Sequence, residues 1–112
     1  MAGSTGKPRV LFVLPATVTG GAEIRLLGML AAFSRVQPVV LGHRTLPGLA
    51  ATGVDVYYLD DIRACTDPYP YDWRNVRRHA AAVAQVSRKV QPDVTFGWMH
   101  NGSFFVAAAA SF

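Results

Sequence analysis

A chain of 112 residues is at most one domain, long enough to bury a core but short for an enzyme built on two lobes. Apolar residues make up 51% and charged residues 16%, a balance that excludes intrinsic disorder and is greasy for a free-standing domain, so some apolar surface is expected to meet a further part of a protein. The formal charge is +4, from eleven Lys and Arg against seven acids, which favours anionic partners such as phosphates, acidic lipids or nucleic acid without choosing among them.

Residues 1–8 read as a flexible start. Lys7 and Arg9 stand before the apolar run Val10-Leu11-Phe12-Val13-Leu14, which superficially copies a short signal peptide. No small-residue cleavage site follows it cleanly, and the run leads into a turn and an amphipathic helix. It therefore reads as a strand over residues 9–14, covered on both faces, because its β-branched and aromatic residues are continuous rather than alternating. Pro15 ends it.

The turn over residues 16–21 delivers the chain into a helix expected over 22–34. Gly20 is its expected N-cap, and Glu23 then sits where a carboxylate reaches back to a free amide and complements the helix dipole. Leu26, Leu27, Leu30 and Phe33 follow helical spacing and make its buried stripe. Val39-Val40-Leu41 is a second short strand closed by Gly42. Residues 46–52 read as a short helix with Gly53 at C′, and 54–59 as a third strand.

Residues 60–72, rich in Pro, Tyr and Asp, are too many for a plain connector and read as an irregular, functional surface loop. Asp72 is a good N-cap for a helix over 73–90. Trp73, Val76, Ala80, Val83 and Val90 are expected to face inward, with Arg88 and Lys89 at the negative end. Gln91-Pro92 stops it. Residues 94–98 form a fourth strand, and a last helix starts from Gly102. Cys65 has no second cysteine to pair with, which fits a reducing compartment, and no Cys/His cluster has zinc spacing. No stretch reaches the roughly 20 apolar residues that a transmembrane helix needs.

Strands that alternate with helices in this way pair in parallel through right-handed crossovers. The expected fold class is α/β, an open parallel Rossmann-like sheet with helices on both faces. The last helix ends on an apolar run with no polar stop signal, so the chain is expected to be truncated after the fourth strand and the start of its following helix.

In such a sheet, ligands bind beyond the carboxyl ends of the strands. Segments 17–21, 42–45, 60–72 and 99–103 arrive there. Thr19-Gly20-Gly21-Ala22 joins a buried strand to a helix start. Two glycines let an anion approach the backbone, and the helix offers unpaired N–H groups and partial positive charge, so a phosphate is the natural guest. The bland alternative is a tight turn that merely requires positive φ. A dinucleotide oxidoreductase needs G-x-G-x-x-G and an acid closing the second strand. Here the glycine spacing is wrong and that strand ends Gly42-His43-Arg44, although Arg44 suits a 2′-phosphate.

Taken in order, Arg9-Val-Leu-Phe-Val-Leu-Pro15, Gly20-Gly21-Ala22-Glu23, Gly53-Val54-Asp55-Val56, Gln91-Pro92-Asp93-Val94 and Gly97-Trp98-Met99 resemble the N-terminal domain of the GT-B glycosyltransferases of family 4, over nearly the whole chain. The resemblance implies that residues 9–112 are part of an acceptor-side Rossmann-like lobe. This lobe would face a second one across a cleft, where sugar is transferred from a nucleotide-sugar donor with retention of configuration. It implies that Thr19, Gly20 and Gly21 approach the donor phosphates. The nucleotide and the family's paired-glutamate motif belong to the other lobe. No catalytic residue, metal or resident cofactor is therefore expected here, the nucleotide-sugar being a substrate, and the chain alone should be inactive. A cytoplasmic location is implied, with a sugar or lipid-linked acceptor and no nucleic acid. The alternative is a non-catalytic Rossmann-like binding or assembly module.

Two departures from the family stand out. Related sequences often place Arg directly after the glutamate, whereas Ile24 intervenes here before Arg25. Relatives with a Gly-Trp-Met strand end often continue with an aromatic residue and then histidine, whereas here His100 precedes Asn101. Either His100 turns into the cleft, or Asn101 replaces the usual ligand, or the pair is a solvated histidine followed by a helix cap. His43 and Arg44 leave the second strand towards the same rim, to meet a charged acceptor or simply as surface. Tyr69 and Tyr71 offer rigid faces for a sugar or lipid chain, or pack as a lid. His79, in mid-helix, is expected to be partly buried or solvated. Arg74, Arg77, Arg78 and Arg88 share one side of their helix, either as a solvated face or as a contact for anionic membrane lipid.

Overall fold

Because the 9–14 run is apolar on both faces, it can only be a strand buried between two layers, and it takes the interior of the sheet. The computed structural model describes residues 6–18 and 20–111. Its elements are β1 (Arg9–Leu14), α1 (Gly21–Leu30), β2 (Gln37–Gly42), one 3-10 turn (Ala50–Thr52), β3 (Asp55–Tyr58), α2 (Leu59–Arg63), α3 (Trp73–Val90), β4 (Val94–Gly97) and α4 (Met99–Ala109). The four strands form one all-parallel sheet in the order β3-β2-β1-β4. The fold is the expected α/β, open, Rossmann-like sheet.

Alternation along β1 sends its side chains into two cores. Leu11 and Val13, with Val39 and Leu41 of β2, pack against Val76, Val83, Val86 and Val90 of α3 and Phe105 of α4. Phe12, Leu14 and Val40 pack on the other face against Leu26 and Leu30 of α1 and against Leu46 and Leu49. Each fully buried Leu or Phe of this kind contributes roughly 1.5–3 kcal/mol relative to exposure, so β1 alone anchors both layers. The register sets Val13 opposite Leu41 on one side and Gly97 on the other.

Asp72 caps α3 as expected, its Oδ1 accepting from Arg74 N at 3.0 Å. Gly53 adopts the left-handed conformation (φ 77°) that closes the 3-10 turn. That turn is all that forms of the helix expected over 46–52. α1 is shorter than expected. Beyond Leu30 the chain leaves the helical path, and Phe33 stacks on Phe12 with ring centroids 5.7 Å apart.

Five further expectations are corrected. The 60–72 segment is not wholly irregular, since its start forms α2, with Leu59 and Cys65 fully buried beneath it. Trp73 faces outward, 66% exposed. The layer beneath the start of α3 is occupied instead by His79, stacked on Phe105 with centroids 4.2 Å apart. His43 is not a surface residue, and His79 is not solvated. Both are fully buried and meet edge to face at 5.7 Å. Finally, α4 begins at Met99, three residues before Gly102. Among the described residues no helix is long and apolar enough to cross a membrane.

Candidate functional site at the switch between β1 and β4

β1 continues into a helix on one face of the sheet, whereas its neighbour β4 continues into a helix on the other. The strand order reverses between them. That is where an open α/β sheet leaves a crevice, because the two connections diverge. A pocket of about 190 Å³ lies there. Leu14, Pro15, Ala16, Thr17 and Val18 line it from the end of β1, and Glu23 from α1. Trp98, Met99, His100 and Asn101 line it from the end of β4, and Pro68 and Tyr69 from the loop before α3.

The wall from β4 is built by close approach. Trp98 N donates to Val13 O at 2.9 Å, prolonging the β1–β4 pairing past the strand end. The chain then folds back sharply, with Met99 in the left-handed region (φ 61°), a strained conformation for a non-glycine residue. A Cβ at Gly102 would stand 2.5 Å from Val13 O, and one at Gly97 2.5 Å from Gly102 O and Ser103 N. Only bare backbone fits, and this squeeze sets the first turn of α4 over the end of β1. His100, exposed, and Asn101, half-buried, both reach the pocket from that turn.

The opposite wall is the start of α1. Gly20 is the N-cap (φ −104°), and Glu23 Oε1 accepts from Gly20 N at 2.9 Å, as expected. Neither Gly20 nor Gly21 has positive φ, and a Cβ at Gly21 would meet nothing within 4 Å. Positive φ therefore explains neither glycine, whereas a Cβ at Gly20 would stand 2.9 Å from the Glu23 Oε1 that caps it. Both residues are exposed at the helix start, beside the pocket rather than in its lining. Two helix N-termini, those of α1 and α4, thus flank one pocket and bias it towards negative ligands. Glu23 is the opposing charge. Trp98 Nε1 is buried without an acceptor among the described residues, so a pocket-lining residue carries an unsatisfied donor.

The third wall is rigid. Asn75 Nδ2 donates to Asp67 O at 2.9 Å and to Tyr69 O at 2.7 Å, and Asp67 Oδ1 accepts from Tyr69 N at 3.0 Å. Tyr69 and Tyr71 stack with centroids 5.7 Å apart and planes 6° apart. An aromatic shelf is thereby pre-formed at the pocket mouth. Asn75→Ala removes both tethers and is expected to lower stability by about 1–2 kcal/mol and to release the Tyr69 ring. Urea unfolding and tyrosine ring line shapes in proton NMR would measure the two effects.

Of the expected site residues, His100 and Asn101 line the pocket, and Gly20 and Gly21 stand beside it. Thr19 lies outside the described residues. Arg44 is held elsewhere on the rim, its guanidinium paired with Asp61 and lying 4.1 Å from the Tyr58 ring centroid, while its N donates to Asp60 Oδ1. Trp98 and Thr17 also line the pocket, from the loops leaving adjacent strands at the switch point. Among the described residues no group of three or more His, Cys, Asp or Glu could hold a metal ion.

No protein-family model, curated protein or solved structure matches this chain. The geometry of the pocket carries the functional argument by itself.

Proposed function

We propose that this chain is the acceptor-side lobe of a glycosyltransferase that uses a nucleotide-sugar donor. One observation carries the reading: Gly20 and Gly21 present bare backbone at a helix start beside the switch-point pocket, although neither conformation nor crowding demands glycine at position 21. What remains to explain Gly21 is close approach from outside, and a pyrophosphate is the ligand that a helix N-terminus favours. Asn101 and His100 stand across the pocket with donors and acceptors for sugar hydroxyls, and Tyr69 offers a stacking face. On this reading a second lobe supplies the nucleotide site and the catalytic carboxylates, and sugar is transferred with retention. The single cysteine, Cys65, is a buried free thiol, which agrees with a reducing, cytoplasmic setting.

The test is titration of the chain with uridine- and guanosine-diphosphate sugars, read by amide NMR. Shifts are expected at residues 20–23 and 98–101, with affinities no tighter than about 1 mM for half a site. Gly21→Ala should leave folding intact or raise stability by about 0.5 kcal/mol. The same variant should weaken binding about tenfold by blocking a charge-assisted amide contact. Shifts spread elsewhere, or none, would remove the reading.

A second reading has its own support. Val94 and Phe96 are exposed along β4, whose outer edge has no partner strand among the described residues. An assembly module docking through that edge would form a stable complex and ignore nucleotide-sugars.

A further inference from the structure

α3 contains no acidic residue, and its outward face carries Arg74, Arg77, Arg78 and Arg88. With Arg63 from the end of α2 they line one open groove of about 610 Å³. Among the described residues none of the four on α3 is paired with a carboxylate, and Arg63 Nε donates to the neutral Gln85 at 3.2 Å. The placement works against the helix. Arg74 lies in the first turn and Arg77 and Arg78 in the second, at the end where the dipole repels cations, and the three repel one another at spacings of three and four. Unrelieved charge that breaks the local rules of helix stability is retained for something outside the fold.

Arg77 also borders a second groove, of about 490 Å³, lined otherwise by Trp73, Phe104, Ala107, Ala108 and Ser111. Trp73 and Phe104 are exposed, and Tyr71, 86% exposed, stands just before them. Guanidinium groups beside exposed Trp and Phe are the chemistry of a lipid headgroup boundary. The rings there sit between water and acyl chain while the cations meet phosphates. A nucleic acid duplex or acidic peptide would satisfy the arginines and leave the Trp73–Phe104 groove in water.

We propose that the α3–α4 flank docks on an anionic membrane surface, with Arg74, Arg77 and Arg78 on lipid phosphates and Trp73 and Phe104 at the headgroup–acyl boundary. The loop that precedes α3 also supplies Pro68 and Tyr69 to the switch-point pocket. A membrane met by Trp73 therefore lies beside the pocket mouth, and a ligand carried on lipid would reach it along this flank. The proposal goes beyond the sugar-transfer reading and stands without it.

The experiment is co-sedimentation of the whole chain with phosphatidylcholine vesicles and with vesicles containing about 30% phosphatidylglycerol, at two salt concentrations. Binding is expected only to the anionic vesicles and to weaken with salt. Arg77→Gln with Arg78→Gln should reduce it roughly thirtyfold. Arg25→Gln with Arg35→Gln, which removes the same charge from the other side of the fold, should change it little. Tryptophan emission should shift to the blue on binding, and the shift should vanish in Trp73→Phe. That readout needs no arginine variant to fold. Equal losses in the two double variants, equal binding to neutral vesicles or no binding would overturn the proposal. So would a duplex oligonucleotide or a polyglutamate peptide binding more tightly than the vesicles.

Discussion

The Gly102→Ala variant is expected to lose about 3 kcal/mol of stability, the upper end of what overpacking commonly costs. The added methyl would stand 2.5 Å from Val13 O, 3.1 Å from the carbonyl carbon of Gly97 and 3.3 Å from Pro15 Cδ. Two of these neighbours are backbone atoms in strands, and β1 is pinned by pairing on both sides. Neither can yield as a flexible side chain does. Relief requires the first turn of α4 to lift from the end of β1, which would carry His100 and Asn101 out of the pocket. The urea midpoint should therefore fall, and whatever binds at the pocket should be lost with it. Gly28→Ala is the control, since a Cβ there meets nothing within 4 Å in the interior of α1. It should stabilise by about 0.5–1 kcal/mol. If the two variants unfold at the same urea concentration, the close approach of α4 to β1 is wrong.

Acid should act on the chain through His79. Its Nδ1 lies 3.0 Å from Asn75 O and must donate, because a carbonyl only accepts. Nε2 is then an acceptor buried without a partner. Burial is the main cause that lowers its pKa from 6.5 to about 4, and the neighbouring His43 and Arg78 add to it. The Asn75 carbonyl and Asp67 oppose it. His43 is lowered as well, again chiefly by burial and against the nearby carboxylate of Asp60, 3.8 Å away. The sign follows from proton uptake. Below about pH 6.5 the unfolded chain protonates at this position while the folded chain does not, so stability falls as pH falls. The loss from this residue is complete near pH 4 and absent above about 6.5, and its size is on the order of 3 kcal/mol. His79→Leu keeps an apolar partner for Phe105 and cannot titrate. Between about pH 7 and pH 4 the wild-type chain should lose more stability than this variant, by on the order of 3 kcal/mol. Parallel acid limbs in the two chains would show that His79 is not buried as described.

The elements most legible in the sequence are those whose signals are local. β1 is a continuous apolar run that no helix period fits. α3 has a side-chain cap at Asp72, a sustained apolar stripe and a Pro stop, and its bounds follow from these alone. The Gly20 cap with Glu23 reaching back belongs to the same class. The rest depended on partners far along the chain. The mutual burial of His43 and His79 is made by two elements 36 residues apart, and each ring looks polar when taken singly. Trp73 lies at the margin of its helix's apolar stripe, and its spacing alone does not show that it faces outward. The Gly97–Gly102 squeeze could not be inferred from a strand end followed by small residues, because the atom it crowds, Val13 O, belongs to β1. The site was legible to the same extent. Three of the four rim segments converge on the pocket, and the fourth, with Arg44, is drawn off by Asp61 and Tyr58.

The interior position of β1 has a kinetic consequence. Arg9 N donates to Asp93 Oδ2 across 84 residues of chain, and β1–β4 pairing closes the largest loop in the sheet. The chain can assemble β1, α1, β2 and β3 early. Until β4 arrives, however, one edge of its central strand stays unpaired and the fold-back over Val13 cannot form. The loop-closure entropy is spent before those contacts repay it. Collapse of the first three strands and completion of the pocket should therefore be separate events in time, the second the slower.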